Sequence, residues 1–470
     1  MKLQDLLFLG SLASATASAL IYPRNSSDTG VIDFKPFPAS SNLTWQPCGS
    51  YQCAVFEVPL DYTQLQGDKA HIPLLKLPAA SQPSKGMLLL NFGGPGMGGA
   101  EGLQGLAPVL QLQSGGQFDL VSWEPRGLGA STPSAVCSAP TTPKRASETP
   151  AGSNAGGFID SVFADAKSVG ETCKSTIGGP TGAGAHMTTK VVVQDMVSLL
   201  DAYAASEEGQ LVEDPSLLNY WGFSYGTVVG QTFASMFPDR VNKLVLDGVV
   251  DASEYVVGNL EKWLIYQDDV FSSFFVYCYL AGPTKCSYYT GNSAGDIFGR
   301  FEQTMARLDI RTAKQQKWDN ATLIEKAVAA FKVTVFKLDY NPLGGGFDLT
   351  TKLLASLEKA SQGLTSESLT GFQQAIDSAL PKSDVPQVSI SCSDNGNIYY
   401  NKSLAEMMPL VDNLRNSSWI GGDPLSKNVV ACTGWGINGV ERFAGPFGGN
   451  TKNPILIVST TRDPVTPDIK

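Results

Sequence analysis

With 470 residues, 43% of them hydrophobic, the chain can bury a large core, and its length corresponds to two or three domains. A formal net charge of −10 argues against nucleic acid or an anionic membrane surface as a partner. No Cys/His cluster has zinc spacing, so neither a metal nor another cofactor is expected.

At the N-terminus, Met1 to Ala19 carries one lysine, the apolar run Leu6-Leu7-Phe8-Leu9, and small residues at Ala13, Ala15, Ala17 and Ala19. This pattern predicts a secretory signal peptide, cleaved after Ala17 or Ala19, whose apolar stretch is too short to span a bilayer. Residues 20–44 are polar and expected to be mobile. Eight cysteines, and sequons at Asn25, Asn42, Asn320, Asn401 and Asn416, agree with secretion into an oxidising compartment. By proximity, the expected disulfides join Cys48 to Cys53, Cys137 to Cys173, Cys278 to Cys286 and Cys392 to Cys432.

From Trp45 the chain reads as ordered. Ala54 to Leu60 and His71 to Leu77 alternate apolar and polar residues, which predicts paired edge strands. Gly86 to Phe92 is a continuous apolar run of the kind that forms a strand covered on both faces. It ends in Gly93-Gly94-Pro95-Gly96-Met97-Gly98-Gly99, which has neither the lysine of a phosphate loop nor the glycine order of a dinucleotide site. Its free backbone N–H groups suit an oxyanion hole, with Gly93 and Gly94 in the loop. Phe118 to Trp123 predicts the next buried strand, and residues 138–157, rich in Pro, Thr, Ser and Gly, an inserted loop. Thr188-Thr189 is expected to cap a helix whose Val192, Met196, Leu199 and Tyr203 share one face.

Leu218 to Phe223 then runs into Gly222-Phe223-Ser224-Tyr225-Gly226 and leaves it as a helix-compatible segment that stops at Pro238-Asp239-Arg240. A strand reversing tightly into a helix through Gly-x-Ser-x-Gly is a nucleophile elbow, which makes Ser224 the candidate nucleophile and the N–H of Tyr225 a candidate oxyanion donor. Lys243 to Gly248 reads as a further buried strand. Residues 251–447 are mainly amphipathic and helix-like, and read as a cap inserted over the catalytic edge. Core patterning returns at Pro454 to Val458, followed by a turn that displays Asp463 as the candidate acid of a triad, with Asp247 as the alternative.

The base is harder to place. The sequence has two histidines, His71 and His186, and both precede Ser224. His71 is expected to be exposed on an edge strand and His186 to be structural.

Several motifs in order carry a resemblance: Cys48 and Cys53 before Val58-Pro59-Leu60-Asp61-Tyr62; Gly93-Gly94-Pro95-Gly96; Arg126-Gly127-Leu128-Gly129-Ala130-Ser131; Gly222 to Thr227; Leu246-Asp247-Gly248-Val249; Ile390-Ser391-Cys392-Ser393-Asp394; and Asp463-Pro464-Val465-Thr466-Pro467. From Trp45 to Lys470 the chain resembles secreted tripeptidyl-aminopeptidase-like serine peptidases, larger relatives of proline iminopeptidases among the α/β-hydrolases. The resemblance implies a doubly wound, mostly parallel sheet, with core segments at 45–250 and 448–470 around the cap. It also implies peptide substrates, Ser224 as nucleophile, Asp463 as acid, and an acidic cap residue for the substrate ammonium; Glu254, Glu261, Asp268 and Asp269 are available. Glu124 stands where many relatives have Asp. Relatives continue past the Asp-Pro-Val-Thr-Pro turn with a helix and a Gly-His loop. These 470 residues contain neither, so the expectation is a truncated C-terminal end of the core and impaired activity of the chain as written. The alternatives are an ester hydrolase using the same constellation, and a binding protein that has lost catalysis.

Overall fold

The computed structural model describes residues 31–137, 157–309, 311, 321–363, 365–379 and 385–468. The expected signal peptide, most of the 138–157 loop, and the sequons at Asn25 and Asn320 lie outside the described residues.

Among the described residues one nine-stranded sheet organises the fold. Its strands are β1 (Ala39–Ser40), β2 (Gln46–Cys48), β3 (Tyr51–Pro59), β4 (Lys69–Leu77), β5 (Met87–Asn91), β6 (Asp119–Trp123), β7 (Leu218–Phe223), β8 (Val241–Asp247) and β9 (Ile455–Val458). Their order is β1-β3-β4-β6-β5-β7-β8-β9, with β2 paired on β3. From β6 across to β9 every pairing is parallel, while β2, β3 and β4 add antiparallel partners at one side. All five side chains of β5 are buried, as a continuous apolar run between two parallel neighbours requires.

Helices cover both faces. On one, α1 (Gly99–Gln113) packs Leu103, Leu106 and Leu110 with Leu88, Leu90 and Phe223. On the other, α3 (Thr189–Ala205) and α4 (Tyr225–Met236) pack Val192, Met196, Val228 and Phe233 with Leu89, Val121 and Leu246, and the preceding α2 (Phe158–Ile177) adds Ile159, Cys173 and Ile177 to the same core. This is the doubly wound arrangement the strand and helix alternation predicts.

Four local expectations need correction. The β3–β4 pair is antiparallel but not at the edge, because β4 also pairs with β6, and β1 and β2 flank β3. The strand at 455–458 does occur, yet its Leu456 and Ile457 are 59% and 64% exposed: successive side chains point to opposite faces, and among the described residues both faces of this terminal strand are left uncovered there. Thr188 occupies the N-cap of α3, but its hydroxyl goes to the Glu441 carbonyl; Asp394 accepts the Thr189 N–H instead at 2.8 Å. Within residues expected to be mobile, Phe34 is buried and Ala39–Ser40 pair with Val55 and Phe56.

Between Asp251 and Phe447 the described chain is mainly helical. Helices α6 (Gln267–Ala281), α7 (Ala294–Arg307), α8 (Ala321–Leu338), α9 (Phe347–Gly363) and α10 (Ser366–Ala379) follow the short α5 (Ala252–Val256). They share a separate aromatic core that includes Phe271, Phe274, Phe275, Phe301 and Phe331. By contrast α11 (Val385–Asp394), α12 (Leu404–Ser417) and α13 (Gly422–Ala431) bury Ile390, Val411 and Leu425 in the main core beside the sheet. The four disulfides join the four cysteine pairs predicted from proximity.

Candidate active site

The elbow is built by close approach. A side chain on Gly222 would stand 2.4 Å from the carbonyl oxygen of Gly226, and one on Gly226 would stand 2.5 Å from that of Asn91. Between them Ser224 has φ 53° and ψ −124°, a conformation L-residues rarely adopt. Such strain persists because neighbours over-determine it. The Ser224 N–H donates to Asp247 O at 3.0 Å, Tyr220 Oη donates to Gly226 O at 2.7 Å, and Thr227 Oγ1 donates to Ser224 O at 2.6 Å. Ser224 thus stands at the C-terminal end of β7 and the N-terminus of α4, where helix polarity favours a developing negative charge.

The glycine loop after β5 lies against this apex. Gly93 has φ 91°, and a Cβ there would fall 2.5 Å from Phe223 O and 3.0 Å from both Ser224 Cβ and the Tyr225 nitrogen. Only a glycine lets the loop backbone come so near the nucleophile. Asn91 Oδ1 accepts the Gly93 N–H at 3.0 Å and so fixes the start of the loop. Its far end is held by Glu124, whose carboxylate accepts the Ala100 N–H at 3.0 Å at the start of α1. Burial raises the Glu124 pKa, and the N–H groups of Ala100 and Gly99 oppose that shift.

Asp463 follows β9 in a turn. Its Oδ1 accepts the N–H groups of Val465 at 2.9 Å and Thr466 at 2.7 Å. The turn reaches the elbow, because a side chain on Gly248 would meet Thr466 Oγ1 at 3.1 Å and the Ser224 nitrogen at 3.9 Å. Asp247, the alternative acid, also ends a strand here. Burial pushes its carboxyl up to about 6, Trp221 Nε1 at 3.4 Å opposes this, and the charge of nearby Asp463 adds to it.

Neither histidine is engaged with Ser224. His71, 42% exposed at its side chain, meets Thr132 Oγ1 at 3.2 Å and Glu57 at 3.5 Å. His186 is buried, with Nε2 3.0 Å from Pro180 O, and burial lowers its pKa.

Three of the four cap acids singled out from sequence are committed elsewhere. Asp268 holds Ser418, Trp419 and Ile420 at the start of the turn before α13. Glu254 binds Asn259 and Lys262, and Glu261 binds Asn413 and Ser417. Asp269, exposed, lies 3.8 Å from Arg462, the residue beside Asp463. Arg126 serves as structure: it is buried, makes a two-pronged contact with Asp195 at 2.7 and 2.8 Å, and donates to the carbonyls of Leu60 and Pro59.

Sequence reasoning gave no role to one buried group, Asp394 at the end of α11. Besides the Thr189 N–H, it accepts Thr189 Oγ1 at 2.6 Å and Tyr255 Oη at 3.0 Å. Burial pushes its carboxyl up to about 6, against the pull of Thr189, Tyr255 and Arg442. Nothing in spacing marks a lone acid at a helix end as a partner of a distant threonine.

A strained serine between a parallel strand and a helix, a glycine loop against it and an acid turn two strands away define the α/β hydrolase architecture. Residues 86–470 match the family model described as the alpha/beta hydrolase fold, and the chain belongs to that family. It is 32% identical over 219 residues, 44% of this chain and 40% of the relative, to serine protease Hip1 of Mycobacterium tuberculosis (strain ATCC 25618 / H37Rv). To the tripeptidyl aminopeptidase of Streptomyces lividans it is 26% identical over 254 residues, 49% of this chain and 44% of the relative. A shorter match, 39% over 87 residues and 18% of this chain, is to carboxylesterase B of M. tuberculosis, of which it covers 16%. The matched part thus spans less than half the length of these curated relatives.

Proposed function

We propose that this protein is a secreted serine exopeptidase of the tripeptidyl-aminopeptidase kind. The observation that carries the chemistry is the contact between the strained Ser224 and the Gly93 loop, which sets backbone donors beside a nucleophile. Ser224 Oγ attacks the scissile carbonyl, and the N–H groups of Tyr225 and Gly94 hold the oxyanion that forms. The serine proton passes to a base and from it to the leaving amine; water then releases the acyl group. Asp463, held by its own turn, orients that base, which is neither His71 nor His186 because both are engaged elsewhere.

Similarity to peptidases by name favours peptides over other acyl substrates. Asp269 lies 3.8 Å from Arg462, the residue before Asp463, so we assign it the substrate ammonium. Four disulfides and the exposure of the sequon asparagines Asn42, Asn401 and Asn416 favour an extracellular setting. Among the described residues no helix is long and apolar enough to cross a membrane.

The test uses peptides that differ only at the N-terminus, with the protein isolated from its natural source. An aminopeptidase releases short N-terminal fragments from free peptides and leaves their acetylated forms intact. Cleavage of both forms alike removes the exopeptidase assignment. Turnover of simple acyl esters with no peptide cleavage supports the esterase reading that the carboxylesterase match suggests.

A further inference from the structure

The side chain of Tyr225 ends in a buried chain of hydroxyls. Its Oη lies 2.5 Å from Thr189 Oγ1, and the Thr189 hydroxyl hydrogen is given to Asp394 Oδ2 at 2.6 Å, so Tyr225 is the donor to Thr189. Tyr255 donates to the same Asp394 oxygen, and its ring stands 5.7 Å from that of Tyr225. All four residues are buried. Asp394 ends α11, outside the sheet, and its helix is anchored there by the Cys392–Cys432 disulfide and by Trp435 Nε1 on Ser393 Oγ at 3.1 Å. Gly93, Met97 and Tyr225 line one cavity together with Ile390 of that helix.

We propose that Thr189 and Asp394 are positioning residues for the reaction, tying Tyr225 to the α11 helix so that its backbone N–H is held at the oxyanion site. The inference rests on the serine hydrolase reading above. Tyr225 is the first residue of α4, and its N–H lies where the Gly93 loop approaches. A donor there acts only if it is fixed before charge develops. A side chain anchored at its far end removes the freedom of the helix end to rock, and it places that anchor outside the sheet.

The test compares Thr189→Val, Tyr225→Phe and Thr189→Ser with the native sequence by two readouts. Hydrogen exchange of the Thr227 to Gly230 amides reports the tether without any chemistry at Ser224. The rate of Ser224 phosphonylation by a fluorophosphonate reports its consequence. Removing either hydroxyl is expected to raise exchange and lower the phosphonylation rate constant about tenfold at unchanged reagent affinity, and Thr189→Ser should restore both. Should Thr189→Val fail to fold, Tyr225→Phe, which leaves the Thr189–Asp394 bond in place, carries the test alone. Unchanged exchange and unchanged phosphonylation overturn the proposal. Faster exchange with native phosphonylation overturns it as well, leaving a tether that serves stability alone. Should the native protein react no faster than Ser224→Ala, the hydrolase reading falls and the positioning role with it, while exchange still shows whether the tether exists.

Discussion

Replacing Asp247 by Asn separates two roles that a strand-end carboxylate can have. In the folded protein its carboxyl is raised from 3.8 to about 6, chiefly by burial. Between about pH 4 and pH 6 the folded state therefore binds a proton that the unfolded state has released, and stability falls as pH rises through that window. Above it the ionised carboxylate remains a fixed penalty. Two pKa units correspond to about 3 kcal/mol, and roughly half of that is expected once solvent near the strand end is allowed for. Asn keeps an oxygen to accept from Trp221 and carries no charge. Chemical denaturation at pH 7.5 should find Asp247→Asn more stable by about 1.5 kcal/mol, and at pH 4 nearly equal to the native protein. With Asp463 as the triad acid the variant also retains hydrolysis, whereas Asp463→Asn loses it. An equal stability difference at both pH values, or a less stable variant at pH 7.5, would refute the burial argument.

Other changes test other parts of the site. Ser224→Gly relieves the positive φ and should raise stability by about 1 kcal/mol in denaturant melts while ending hydrolysis; a destabilised variant would show that the elbow is not strained. Gly93→Ala forces a methyl against Phe223 O, so its activity should fall at least about tenfold more than its stability change explains, as kcat rather than KM. Arg126→Met leaves Asp195 buried without its partner and should cost about 3–5 kcal/mol in stability, with Asp195→Asn showing a comparable loss. Replacing Cys392 and Cys432 by Ser opens a link across 40 residues and should lower stability by about 4 kcal/mol, read by denaturation with and without reductant.

Much of the core was legible in sequence because its signals are local. The run Gly86 to Phe92 announces a strand buried on both faces, and Gly222 to Gly226 announces a turn crowded by its own chain. The four disulfides followed from proximity because each joins two cysteines that are consecutive along the chain. What the sequence concealed is long-range. Residue pattern could rank Asp463 above Asp247 only by position in the chain, whereas the burial of Asp247 appears once β8 lies between β7 and β9. The choice among cap acids was likewise closed to pattern, because the donors that occupy Asp268 and Glu261 lie some 150 residues further along the chain. Thr188 carries the sequence signature of a cap, yet an acid from α11, far away in the chain, supplies the bond. The helical region also divides in a way periodicity cannot reveal, part keeping a core of its own and part joining the sheet.

The proposed chemistry depends on Ser224 as the nucleophile. Incubating the protein from its natural source with a fluorophosphonate and mapping the adduct by peptide mass spectrometry tests this most directly. A single modified residue is expected, Ser224, and none in Ser224→Ala. A native protein left unmodified, or an adduct carried equally by the Ser224→Ala variant, would contradict it.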